Sequence, residues 1–210
     1  MDLKRFEKAI FDAATDLVGR EEELCKLDSF VGDGDHGISI KRAYSNVLKM
    51  MASKKAVNFR DFLFDVSMAV SETAGGAIGP ILASFFLGMS DAVDVGKEEL
   101  SPADMAALLK AGTMRVQSLG GAQPGDSTLV DALTPAYETL DKCKEEDEGR
   151  ALEKMAQAAY SGAMFTKDMV AKKGRARYLE AKSKGYVDAG AMSMYYFLRA
   201  FVDGVTAETT

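Results

Sequence analysis

The stretch Ser101-Pro-Ala-Asp-Met-Ala-Ala-Leu-Leu-Lys-Ala-Gly-Thr-Met-Arg-Val116 contains a complete helix start signal. A serine at the N-cap accepts a hydrogen bond from a backbone N–H that would otherwise lack a partner. Proline's fixed φ suits the first helical position, and Asp104 sets a negative charge against the positive end of the helix dipole. Met105, Leu108, Gly112 and Val116 then fall on one face. The same spacing recurs at Phe6, Ile10, Ala13 and Leu17, and at Ile40, Tyr44, Val47 and Met51, with no alternating strand pattern between them. The sequence therefore predicts an all-α fold, with helices near residues 2–23, 38–52, 59–74, 80–93, 102–119, 127–144, 148–171 and 189–203.

A chain of 210 residues that is 47% hydrophobic fits one domain, over residues 1–210. A formal net charge of −6 argues against a nucleic-acid partner, which would require clustered Lys and Arg. The basic runs Lys172-Lys173-Gly174-Arg175 and Lys182-Ser183-Lys184 read as solvated helix ends. Cys25 and Cys143 sit in no metal or redox spacing. The start lacks the apolar core of a signal peptide, and Ala77 to Met89 is too short to span a bilayer, so a soluble, cytoplasmic protein without a membrane partner is expected.

Four inter-helix segments concentrate glycine with polar residues: 28–37, 74–80, 120–128 and 185–190. They are expected to converge at one end of a bundle. The first places Asp28, Asp33 and Asp35 within eight residues, and Gly34 separates two of them. Crowded carboxylates repel unless a cation is present, and hard oxygen ligands select Mg2+ or Ca2+ over zinc. The calcium-binding EF-hand pattern fails, because Gly37, Ile38 and Tyr44 stand where it needs an oxygen ligand, glycine and glutamate. Magnesium, which keeps sites open for water and phosphate, fits better. The competing reading is that Asp28 caps a helix and Gly32-Asp33-Gly34-Asp35 is an ordinary turn.

Gly75-Gly76-Ala77-Ile78-Gly79-Pro80 leads into an apolar helix, whose free N–H groups attract anions, although no P-loop motif is present. In the third segment Asp126-Ser127 is expected to cap the following helix, and Arg175 offers a guanidinium to a polyphosphate. His36, the only histidine, reads as a contact residue, not a proton carrier. Met192, Met194 and Tyr195-Tyr196-Phe197 read as core.

Four ordered fragments then carry a resemblance across nearly the whole chain. Leu27-Asp28 with Gly32-Asp33-Gly34-Asp35-His36-Gly37, the segment Gly75 to Pro80, Gly125-Asp126-Ser127-Thr128, and Gly174-Arg175-Ala176-Arg177-Tyr178-Leu179 followed by Asp188-Ala189-Gly190-Ala191 are similar to the L subunit, or DhaL domain, of dihydroxyacetone kinases. The resemblance implies an antiparallel barrel of eight helices with ADP or ATP at one end. It implies that Asp28, Asp33 and Asp35 ligate two magnesium ions. It also implies a nucleotide site built from His36, Gly37, Ile38, Ser39, Gly75, Gly76, Ala77, Ile78, Gly120, Asp126, Thr128, Leu129, Arg175, Asp188, Ala189 and Gly190. No catalytic side chain is implied.

In family terms a separate K subunit holds a short ketose covalently and this chain delivers the phosphoryl group. The donor is either ADP recharged by a phosphohistidine protein of the phosphotransferase system (the M subunit) or ATP directly. A homodimer stays open. The chain departs from the pattern at Ile78 for a hydroxyl residue, Ser127 for a basic one, Arg177 for serine and Ala189 for proline. Those departures keep a catalytically silent, regulatory paralogue in view, and a purely structural helical module is the remaining alternative.

Overall fold

Each apolar stripe becomes the buried face of a helix. The computed structural model describes residues 1–72 and 76–207, and among them nine α-helices and two 3-10 segments form. They are α1 (Leu3–Gly19), α2 (Glu21–Ser29), α3 (His36–Ser53), α4 (Phe59–Ser71), α5 (Ile78–Ala92), α6 (Pro102–Gly120), α7 (Leu129–Lys142), α8 (Glu148–Phe165) and α9 (Ala189–Thr206). The start signal of α6 is realised in full: Ser101 and Asp104 form a reciprocal capping box, with proline at the helix entry.

Eight of these helices make a closed ring. α1, α3, α4, α5, α6, α7, α8 and α9 each pack on the next, and α9 returns to α1. Neighbours run antiparallel. Ser67 Oγ donates to the Ala83 carbonyl and Ser90 Oγ to the Arg60 carbonyl, so α4 and α5 pass head to tail. Arg20 covers Tyr196 while Gly204 lies against Ala9, which orients α9 against α1 in the same way. At the α5–α6 crossing a side chain added at Gly112 would collide with Phe85, so glycine is what permits this approach. The alternation gathers the N-termini of α3, α5, α7 and α9 at one end of the barrel, among the long glycine-containing connections. No helix among the described residues is long and apolar enough to cross a membrane.

Two predicted spans need correction. The helix expected over 2–23 breaks at Arg20 (φ −95°, ψ 16°), and α2 begins afresh. Glu21, Glu22 and Glu23 favour a new helix N-terminus, while the Arg20 side chain spans the break by binding Asp16 and Glu23. The helix expected over 148–171 stops at Phe165, because the Thr166 hydroxyl donates to the Ala163 carbonyl and accepts from the Asp188 N–H, turning the chain back. Both basic runs consequently lie in a mostly exposed excursion between α8 and α9; Lys172-Lys173-Gly174-Arg175 is not at the end of an α-helix, whereas Lys182-Ser183-Lys184 ends the 3-10 segment Ala176–Ser183, as expected of a helix end. Met192, Met194 and Phe197 are core as expected, whereas Tyr195 and Tyr196 are only partly buried.

Phe6 occupies the centre of an aromatic cluster. It is 0% exposed and meets Phe59, Phe62 and Phe201 edge-on at centroid distances of 5.5, 6.0 and 5.5 Å. These rings come from α1, α4 and α9, so the cluster ties the ring closure together. Phe6→Ala is expected to lower unfolding free energy by about 3–5 kcal/mol in urea denaturation followed by circular dichroism; a loss under about 1 kcal/mol would contradict this placement.

Candidate metal and phosphate site

The aspartate segment is built on two helices. Asp28 belongs to the last turn of α2, not to the loop, and its carbonyl accepts from the N–H groups of Val31 and Gly32 at 3.1 and 2.6 Å. Gly34 adopts φ +75°, a backbone conformation that L side chains resist, and this swings the chain into α3. Gly37 lets α3 press on α2, since a side chain there would strike the Glu21 carbonyl and Cys25. Asp28 Oδ2 then accepts from the N–H groups of Asp35 and His36 at 3.1 and 3.3 Å. Asp28 therefore does cap a helix, as the competing reading held. It also joins Asp33 and Asp35, with one oxygen of each lying within 4.8 Å of the others.

The electrostatics of this trio fit a hard divalent cation. Asp35 is held above the usual carboxylate range by burial and then by Asp33 and Asp28, with Arg175 opposing. Arg175 reaches Asp33 Oδ2 at 2.8 Å, so one positive charge already sits beside three negative ones. Oxygen-only ligands, excess negative charge and exposed positions leave room for further ligands, as magnesium requires.

Around the trio the other segments close in. His36 Nε2 lies 3.2 Å from Ser193 Oγ on α9, and Ser39 Oγ lies 3.8 Å from where a side chain at Gly76 would begin. Gly190 packs against Leu129, Lys172 reaches Asp126 at 3.1 Å, and Lys173 reaches the Gly120 carbonyl at 3.3 Å. Three of the four helix N-termini here are satisfied by side chains: α3 by Asp28, α7 by a Thr128–Asp131 capping box, and α9 by Asp188, which accepts from the Ala191 N–H. The N-terminus of α5, at Ala77, has no side-chain cap among the described residues. Its positive dipole end faces an anion-receptive position.

Asp126 does not cap α7 as expected. Its buried carboxylate accepts from the Gln123 N–H and Lys172, and those donors hold it below the usual range despite burial. Ser127 takes φ +59°, unusual for a residue with a side chain. The Asp188 carboxyl is enclosed and pushed up to about 7 by that burial, with Asp131 and Asp28 adding to it. Ile38 is not drawn in: it lines an outer groove with Lys41 and Arg42. The Ile78 side chain packs on the core, Ala77 is exposed, Ala189 is buried, and Gly75 lies outside the described residues.

Sequence reasoning missed Ser193, Thr166, Lys172 and Asp131, which position the site. Only Asp131 was signalled locally, by Thr-x-x-Asp; the others depend on contacts 157, 22 and 46 residues apart in the chain.

Fold and site together define a class: an antiparallel helical barrel whose one end carries a cation-ready carboxylate trio beside an anion-receptive helix start. The chain belongs to the DAK2 domain family, whose model matches residues 30–203, in its DhaL branch. It is 32% identical to the PEP-dependent dihydroxyacetone kinase, ADP-binding subunit DhaL of Escherichia coli K12, over 88% of this chain and 89% of that one. It is 33% identical to the L-erythrulose 1-kinase of Mycolicibacterium smegmatis, over 89% of this chain but 33% of that protein. The fold matches the dihydroxyacetone kinase from C. freundii in complex with AMP-PNP and Mg2+, with a TM-score of 0.74 at 24% identity, covering 94% of this chain and 33% of that one.

Burial of the His36 ring lowers its pKa to about 4, with Asp28 opposing. The folded value lies below the unfolded one near 6.5, so the unfolded chain takes up the proton first. The stability this group contributes is full above about 6.5 and is lost as pH falls toward about 4. As the single histidine gives one imidazole signal, proton NMR is expected to show no titration between about pH 5.5 and 8. A midpoint near 6.5 would mean that the ring is solvated.

Proposed function

We propose that this chain binds an adenine nucleotide with Mg2+ and acts as the phosphoryl-donating L subunit of a dihydroxyacetone-type kinase. The observation that carries the reading is the carboxylate trio at the same barrel end as the start of α5, which has no side-chain cap among the described residues, in a DAK2 family member. Support also comes from its likeness to the ADP-binding subunit of Escherichia coli and to the C. freundii kinase in complex with AMP-PNP and Mg2+.

In this reading Asp28, Asp33 and Asp35 hold two magnesium ions. His36, Gly37, Ser39, Gly75 to Ile78, Gly120, Asp126, Thr128, Leu129, Arg175 and Asp188 to Gly190 surround the nucleotide, while Ile38 faces the outer groove. Bound there, the metal neutralises phosphate charge. The chain's own residues orient and enclose: backbone N–H groups at the start of α5 and the Arg175 guanidinium meet phosphate oxygens, and neutral His36 braces α3 against α9 through Ser193. No nucleophile is needed here, since a separate K subunit holds the ketose acceptor. We assign ADP, recharged by a phosphotransferase-system protein, as the working nucleotide, in line with the PEP-dependent description of the Escherichia coli relative. Direct use of ATP is the second reading, favoured by the match to part of a longer erythrulose kinase chain.

Asp33→Asn tests the metal assignment. Calorimetric titration with ADP is expected to lose its Mg2+-dependent binding, at least about tenfold in affinity, while helical circular dichroism persists. Unchanged affinity would refute it. With a K subunit and either donor, the unmodified chain is expected to support phosphorylation of dihydroxyacetone, and inactivity with both donors would sink the kinase reading. Because the Ile78 side chain packs on the core and leaves phosphate contact to the backbone, Ile78→Thr is expected to change ADP affinity by less than about threefold; a gain of about tenfold or more would show that a side chain at this position reaches the phosphate.

A further inference from the structure

The outer wall formed by α4, α5 and α6 differs from the rest of the barrel surface in how little charge it carries. From Thr73 to Ser90 the sequence contains no charged residue, whereas the exposed positions of α1 include Lys4 and Lys8, and those of α3 include Lys41, Arg42 and Lys49. In place of charge the wall exposes apolar side chains. Phe64 and Met68 on α4 are 47% and 49% exposed, and Met114 on α6 is 54% exposed. Ile81, Ser84 and Leu87 of α5 lie partly exposed between them. Aromatic and methionine side chains in a charge-depleted patch are the composition of a protein interface core.

Contacts between the helices fix the height of each group on this wall. The Ser67–Ala83 and Ser90–Arg60 hydrogen bonds set Phe64 beside the Phe86–Leu87 turn of α5. On the other side a Cβ at Gly88 would meet the Ala111 carbonyl and Gly112 Cα at 2.9 Å, so Met114 stands at nearly the same height. Met68 and Ile81 lie about a turn nearer the phosphate end. The charges at the far margin sum to zero. Arg115 pairs with Asp91, which leaves Asp61 on the α4 side and Lys110 on the α6 side, both exposed and neither in an ion pair among the described residues. Those two share a height as well: Asp61 follows Arg60, whose carbonyl accepts from Ser90, and Lys110 precedes Ala111, which faces Gly88.

From this we infer that the α4–α6 wall is where a second copy of this chain docks, about a two-fold axis running parallel to α5. Charge selects the occupant. Each copy carries −6, so two copies repel over most of their surfaces, and a face of zero net charge removes that repulsion where it would be strongest. A two-fold contact must also be self-complementary. An axis along α5 exchanges the α4 and α6 sides without changing height, so Asp61 of each copy meets Lys110 of the other, and Phe64 of each meets Met114. The apolar centre supplies the affinity, while the two reciprocal ion pairs at the rim set the register. In this arrangement both phosphate ends stay uncovered and face the same way.

Sedimentation equilibrium of the full chain tests this. The mass is expected to rise from 22.6 kDa toward twice that value as concentration increases from about 2 to about 200 μM. In Met68→Asp/Met114→Asp, at two half-exposed positions outside the nucleotide site, dimer affinity is expected to fall at least about tenfold with helical circular dichroism unchanged. Asp61→Lys and Lys110→Asp alone are each expected to weaken the dimer about threefold, and the two together to restore it to within about twofold, since the swap rebuilds both ion pairs. Damage confined to the start of α4 would not be rescued from α6. A chain that stays at 22.6 kDa at about 200 μM overturns the inference, as does a dimer indifferent to Met68→Asp/Met114→Asp or one that the charge swap fails to restore. Retention of a monomeric chain on phosphatidylcholine vesicles, lost in Met68→Asp/Met114→Asp, would assign the wall to lipid and overturn it too.

Discussion

Everything at the working end depends on one carboxylate meeting two demands. Asp28 satisfies the N–H groups of Asp35 and His36 at the start of α3, and the same group forms one corner of the acidic trio. The helix dipole and the two donors offset the repulsion that Asp33 and Asp35 impose on it. That balance requires α2 and α3 to touch, which they do only because Gly37 lacks a side chain. Remove the contact and the trio loses its scaffold, whatever the barrel does.

The barrel behind it is fixed by more conventional means. Antiparallel neighbours bury apolar stripes, the Phe6 cluster closes the ring between first and last helices, and Gly112 sets one crossing at close range. The alternation of direction is what delivers four helix starts to a single end. Three of them are satisfied by side chains, while among the described residues α5 has none, a division of labour among otherwise equivalent ends.

Much of this was legible in the sequence. Periodicity located the long helices, the Ser101 box located a boundary, and the spacing of Asp28, Asp33 and Asp35 identified the acidic site. The failures share a cause. The break at Arg20 and the stop at Phe165 depend on side chains finding distant or cross-break partners, Asp16 and Glu23 in one case and Asp188 in the other. Asp126 resembled a cap by position, yet Lys172 and the Gln123 N–H occupied it, and Thr128 took the role. His36 could be read as a contact residue, but its partner Ser193 lay far along the chain.

Because of the Arg20 break, α2 stands outside the eight-helix ring, attached by the Arg20–Tyr196 stacking, the Tyr196–Glu23 hydrogen bond and its contact with α3. This arm, seated on the ring also by the fully buried Leu24 and the Glu21–Lys41 ion pair, separates two kinds of evolutionary constraint. Away from its working end, the ring answers mainly to packing volume, which tolerates wide sequence drift. The arm answers to geometry, and its contact with α3, Gly37 foremost, is where drift should be slowest.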